Sequence, residues 1–168
     1  AITEHFPGGA NHVAGGIAQA DTLGIFGREG VFAATYWEMV EGWSPFILGG
    51  HQTFLNYDGA GSRVGDLSLP ATTSNTAQSS VYAMRSTTDA NKLWIVAINK
   101  TATAIPAHIT ISNGMGYGTY KLFRLTSASA TPQFVSNNPI SGSLIDYTMP
   151  AFSVSTMELS ATLPTLTI

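Results

Sequence analysis

The chain has no cysteine. That excludes disulfides and thiolate metal sites but leaves the compartment open, since export does not require them. Charge is nearly as scarce. Only 10% of the 168 residues are Asp, Glu, Lys or Arg, against about 25% in an ordinary domain. The surface is therefore built from Ser, Thr, Asn and Gly, which suits an exported protein. The net charge of −3 gives no basic field for nucleic acid or anionic lipid. No apolar run approaches the roughly 18–20 residues that span a bilayer, so no membrane partner is expected. The chain opens Ala1-Ile2-Thr3, without Met or a leader, and the expectation is a processed chain or a piece of a longer protein.

Several catalytic signatures are missing too. His5, His12, His51 and His108 lack the His-x-x-x-His and His-Glu-x-x-His spacings of zinc sites. Neither the Gly-x-Ser-x-Gly elbow nor a phosphate-binding loop occurs, so a serine hydrolase or nucleotide enzyme is not supported. Asp58-Gly59-Ala60-Gly61-Ser62 resembles a calcium loop only loosely: Ala60 removes the third ligand, and no Glu stands at the twelfth position. No metal or cofactor is expected.

What is present falls into two textures. Ile2-Thr3-Glu4 reads as the tail of a buried strand, broken by Phe6-Pro7-Gly8-Gly9-Ala10. Asn11 is a candidate N-cap for a helix whose Val13, Ile17, Ala20 and Gly24 share one face. Its many glycines imply close packing, as against a sheet. Val31 to Trp37 is a continuous apolar run, the pattern of a parallel strand buried on both faces. Ser44-Pro45 then opens a second helix with Phe46, Gly50 and Phe54 on one side.

After about residue 63 the pattern becomes short β-branched or aromatic segments at 80–84, 93–98, 108–111, 117–123, 143–147 and 153–159. Turn signals such as Asp89-Ala90-Asn91, Asn113-Gly114, Asn137-Asn138-Pro139 and Met149-Pro150 separate them. This predicts an antiparallel β-sandwich. The fold class is therefore mainly β, with residues 1–62 forming strand-helix-strand-helix units and residues 63–168 the sandwich.

The candidate chemistry lies in the first part. Glu4 stands where a parallel strand ends, the place at which α/β barrels set catalytic groups. Taken alone it reads as a solvated side chain near a frayed terminus. Tyr36 and Trp37 close the second strand and can present ring faces to a sugar or simply fill core, whereas Trp43 sits in a polar loop. Glu38 and Glu41 add carboxylates there. A retaining glycosidase needs two carboxyls about 5–5.5 Å apart, and either could partner Glu4 or be loop surface.

The runs Thr3-Glu4, Gly8-Gly9-Ala10-Asn11-His12, Gly15-Gly16-Ile17-Ala18-Gln19-Ala20-Asp21, Leu23 to Gly30 and Ala33-Ala34-Thr35-Tyr36-Trp37 resemble glycoside hydrolase family 44. Asn56-Tyr57-Asp58-Gly59 and Gly65-Asp66 resemble its passage out of the barrel. Pro150-Ala151-Phe152-Ser153-Val154 resembles the entry to the last strand of its β-sandwich. The resemblance implies secreted endo-β-1,4-glucanases, some acting on xylan or xyloglucan, with a (β/α)8 barrel, an appended sandwich and two catalytic glutamates. It assigns Glu4 as nucleophile at the end of the seventh strand, Val31–Trp37 as the eighth strand and Trp37 as a subsite wall, with Tyr36, Trp43 and His5 around the sugar. His5 stands where an aromatic usually follows the nucleophile, and Ala10 where a Glu is often seen. The acid/base glutamate would lie upstream of residue 1, so the expected partners are a β-1,4-linked polysaccharide and the rest of the barrel. The isolated chain would be inactive. The competing class is a non-catalytic sandwich for carbohydrate binding or structural support, for which Tyr82, Trp94, Tyr117 and Tyr120 are the available aromatics.

Overall fold

The computed structural model describes residues 1–37, 43–112, 114–140 and 142–161. Strand β1 (Ile2–His5) leads through a Gly-rich turn to helix α1 (Val13–Arg28), strand β2 (Ala34–Tyr36) and helix α2 (Pro45–Leu55). β1 and β2 pair in parallel, as the intervening helix requires. Asn11 is not the cap of α1. It lies within the turn closed by His12 N–H donating to the Gly9 carbonyl, and the His12 ring instead accepts from Ala14 N at 3.1 Å. Ser44 and Pro45 take the N-cap and first-turn positions of α2, although the Ser44 side chain makes no capping bond.

The expected face of α1 is confirmed: Val13, Ile17, Ala20 and Gly24 are all buried. The buried stripe is wider than this, taking in Gly15, Gly16 and Gln19, because two different elements cover the helix. A Cβ on Gly24 would lie 2.3 Å from the Tyr82 ring, and one on Gly50 of α2 would lie 2.5 Å from the Gly16 carbonyl and 2.9 Å from Gln19 Cβ. The glycines let α1 approach both α2 and the sheet behind it.

One expectation fails here. Val31–Trp37 is not a strand buried on both faces: only Ala34–Tyr36 is extended, and Phe32 is 95% exposed. The pair β1–β2 forms a sheet of its own. With no third strand beside it among the described residues, most of the apolar run stays exposed, and Tyr36 packs toward the helices.

The remaining strands are β3 (Leu67–Leu69), β4 (Ser79–Arg85), β5 (Lys92–Asn99), β6 (Ile105–Thr110), β7 (Tyr117–Thr126), β8 (Ser129–Pro139), β9 (Leu144–Met149) and β10 (Ser153–Ala161). A six-stranded sheet runs β3-β4-β5-β10-β7-β8, with every neighbouring pair antiparallel. β6 and β9 form a separate antiparallel pair. β8 was not anticipated. Asn137-Asn138-Pro139, which reads as a turn, lies inside it, paired with Lys121, Tyr120 and Thr119. Prolines are tolerated there because β8 is an edge strand.

Alternation along the central strands fills both faces of this sheet. Trp94, Val96, Ile98, Phe123, Leu125 and Val154 join Val13, Ile17, Ala20, Phe54 and Tyr57 in the core under the helices. Leu93, Ile95, Tyr120, Leu122, Met157 and Leu159 join Ile145 and Ile109 in the core under β6–β9. β10, central in the sheet, is buried from Ser153 to Met157. The first of these cores runs unbroken across residue 62.

Candidate active site

β1 and β2 are short, and side-chain bonds complete their pairing. Ile2 N donates to Ala33 O at 2.8 Å and Trp37 N to His5 O at 3.1 Å. Between them the register shifts, and the Thr35 hydroxyl donates to the Thr3 carbonyl. The His5 ring is held at both nitrogens: Nδ1 lies 3.0 Å from the Thr35 carbonyl and Nε2 lies 3.2 Å from Gln19 Nε2. A carbonyl only accepts, so the proton sits on Nδ1, and Nε2 accepts from the Gln19 amide.

This fixes the facing of each candidate. His5 contacts Gln19 and, edge-on, Phe26 of α1 and Tyr36 of β2. Tyr36 also meets Phe6 and His51 of α2 edge-on. His5 and Tyr36 therefore face the helices. Burial raises the Tyr36 phenol above its ordinary value, and it lowers His51, with the nearby His5 ring adding to the effect. Glu4, between Thr3 and His5, is exposed. The indole of Trp37, the residue after Tyr36, is half exposed, and that of Trp43 is 74% exposed.

Glu4 and Trp37 are thus both exposed, while His5 and Tyr36 pack toward the helices. Glu38 and Glu41 lie outside the described residues. The other described glutamates have partners of their own: Glu29 is paired with Arg28, and Glu158 with Lys92 and Tyr57. Among the described residues no three His, Asp or Glu side chains gather as a metal site would need. Asp58, first residue of the loop that resembled a calcium site, closes its own turn. Oδ1 accepts from Ala60 N and Ser62 N at 2.9 and 3.0 Å, and Oδ2 from the Ser62 hydroxyl at 2.6 Å. The bond from Ser62 holds this carboxyl below its ordinary value.

Chemically, an exposed carboxylate at the carboxyl end of a parallel strand can act as nucleophile or base, and an exposed indole can stack on a sugar ring. Tyr82, Trp94, Tyr117 and Tyr120 are all buried and offer no ring face to a sugar. Sequence reasoning missed Gln19. The width of the stripe Gly15-Gly16, Gln19-Ala20, Leu23-Gly24 was the available signal, since it covers more than one face of the helix.

No family model matches the chain. Endoglucanase A of Paenibacillus lautus is 37% identical over 164 residues, covering 96% of this chain and 23% of that protein. The crystal structure of a glycoside hydrolase family 44 endoglucanase from Clostridium acetobutylium superposes with a TM-score of 0.90 at 33% identity, covering 94% of this chain and 31% of that one. A family 44 xyloglucanase from Paenibacillus polymyxa, solved with xyloglucan, superposes with a TM-score of 0.89 at 31% identity, covering 94% and 31%. The chain spans 23% to 31% of the length of these relatives.

Proposed function

Because this chain is homologous over nearly its whole length to one portion of glycoside hydrolase family 44, we propose that it is the C-terminal part of a secreted retaining enzyme that endo-hydrolyses β-1,4-glucan. Glu4 is the nucleophile. Residues 1–62 close the (β/α)8 barrel, and residues 63–168 are its appended sandwich. The observation that carries this reading is the place of Glu4, exposed at the carboxyl end of a parallel strand whose other side is packed on helices.

In this reading the Glu4 carboxylate attacks the anomeric carbon, and the glycosyl-enzyme ester is then hydrolysed by water. Trp37 and Trp43 hold glucosyl units on the open side, with Tyr36 and His5 supporting the strands beneath. The leaving oxygen needs a proton from a second carboxyl about 5–5.5 Å from the first, which the rest of the barrel supplies. Losing general acid help alone costs about 10²–10⁴-fold, so the isolated 168-residue chain is inactive. The bare apolar run at Val31–Trp37 supports the same view, since further parallel strands would bury it. Xylan or xyloglucan are further substrates on the same reading.

The test is reducing-sugar release from carboxymethylcellulose by the full-length polypeptide, by Glu4→Gln, and by the 168-residue chain alone. Activity in the first and none in the other two is expected. Turnover that survives Glu4→Gln removes Glu4 as nucleophile.

A further inference from the structure

We propose that Gln19 and His5 are positioning residues for Glu4, an inference that rests on the reading of Glu4 as nucleophile. Glu4 sits in a four-residue strand that, among the described residues, pairs with one of three residues, so side-chain bonds add to what the ladder fixes. The residue on either side of it is tied down. The Thr3 carbonyl takes the Thr35 hydroxyl, and the His5 ring is held between the Thr35 carbonyl and Gln19.

Gln19 is the rigid end of this chain of contacts. It is fully buried in α1, and its Cβ packs so close to Gly50 of α2 that any side chain there would collide with it. Among the described residues its Oε1 is buried without a partner, and the bond its amide makes is the one it gives His5 Nε2. A buried amide whose oxygen has no partner costs stability. That cost is explicable if the bond it does make serves the position of β1. The path runs α2, Gly50, Gln19, His5, Glu4, from a helix seam locked by glycine to the carboxylate. The groups facing His5 along it are Phe26 of α1, Tyr36 of β2 and His51 of α2.

The test uses the full-length polypeptide and 2,4-dinitrophenyl β-cellobioside, whose leaving group departs without a proton donor, so that kcat/KM reports the attack by Glu4. Gln19→Met keeps the volume and removes the bond. It is expected to lower kcat/KM about tenfold or more, as small misplacements of a reacting group do, with the Kd for cellotetraose unchanged. Adding His5→Phe to Gln19→Met removes the stranded ring nitrogen and is expected to recover much of the loss. An unchanged kcat/KM in Gln19→Met, with only the melting temperature lowered, overturns the inference. So does a loss that His5→Phe does not relieve. Glu4→Gln is assayed beside them: if it keeps turnover, the nucleophile assignment falls first and carries this inference with it.

Discussion

Tyr57, at the exit of α2, and Glu158, at the centre of the sheet, are bonded across 101 residues of chain: the Tyr57 hydroxyl donates to Glu158 Oε2 at 2.8 Å and accepts from Trp94 Nε1 at 2.9 Å. Tyr57 is fully buried. Tyr57→Phe leaves the Trp94 N–H and the Glu158 oxygen short of a partner with little change of volume. It is expected to destabilise the fold by about 1–3 kcal/mol, read from urea unfolding midpoints.

The same carboxylate makes stability depend on acid. Burial pushes Glu158 up, but the bonds from Lys92 and Tyr57 outweigh it and hold it below its ordinary value of 4.5. Burial likewise pushes Asp21 up, while bonds from Tyr82, Ser80 and Lys100 hold it below 3.8. Both groups bind protons less readily folded than unfolded, so their contribution is present above these ordinary values and is lost as pH falls through the lower folded ones. Unfolding free energy measured from pH 6 to pH 3 is expected to decline below about pH 4.5. Lys92→Met should flatten the part of that decline that belongs to Glu158.

Gly50→Ala is expected to destabilise by about 1–3 kcal/mol or more, because the new methyl meets the Gly16 carbonyl and Gln19 Cβ, neither of which can swing aside. Gly27→Ala, where a Cβ meets nothing within 4 Å, should be neutral to stabilising by up to about 1 kcal/mol in helix propensity. Thermal melts of the two variants separate packing from propensity within one pair of helices.

On the full-length polypeptide, Trp37→Ala is expected to weaken oligosaccharide binding by about 0.5–1.5 kcal/mol. Tyr36→Phe, whose ring sits on the helix side with His5 and His51, should leave binding unchanged. Isothermal titration with cellotetraose in the Glu4→Gln background measures both. Equal losses in the two variants would contradict the facing described for the strand pair.

The elements of this fold were legible where one period dominated. The face Val13-Ile17-Ala20-Gly24 and the parallel relation of β1 and β2 followed from spacing and chain order alone. β8 was hidden because an edge strand buries little and tolerates the Pro and Asn that otherwise mark turns. The exposure of Val31–Trp37 was illegible for the opposite reason: an apolar run states what a segment would bury, not whether its cover is present. Glu4 could be singled out by its place at a strand end and by resemblance. Gln19 was marked only by the width of its stripe, because a glutamine in a helix reads as surface until a second helix is seen to cover it.

The core that spans residue 62 bears on how such proteins could have diversified. A crossover at that point, where the pattern of the chain changes, would separate Phe54 and Tyr57 from Trp94, Phe123 and Val154, and each half would meet a stranger's side chains. Recombination that exchanges the sandwich alone would then be selected against. The two parts are expected to descend together, and grafted catalytic segments should work only when the helices and the sheet they rest on come from one parent.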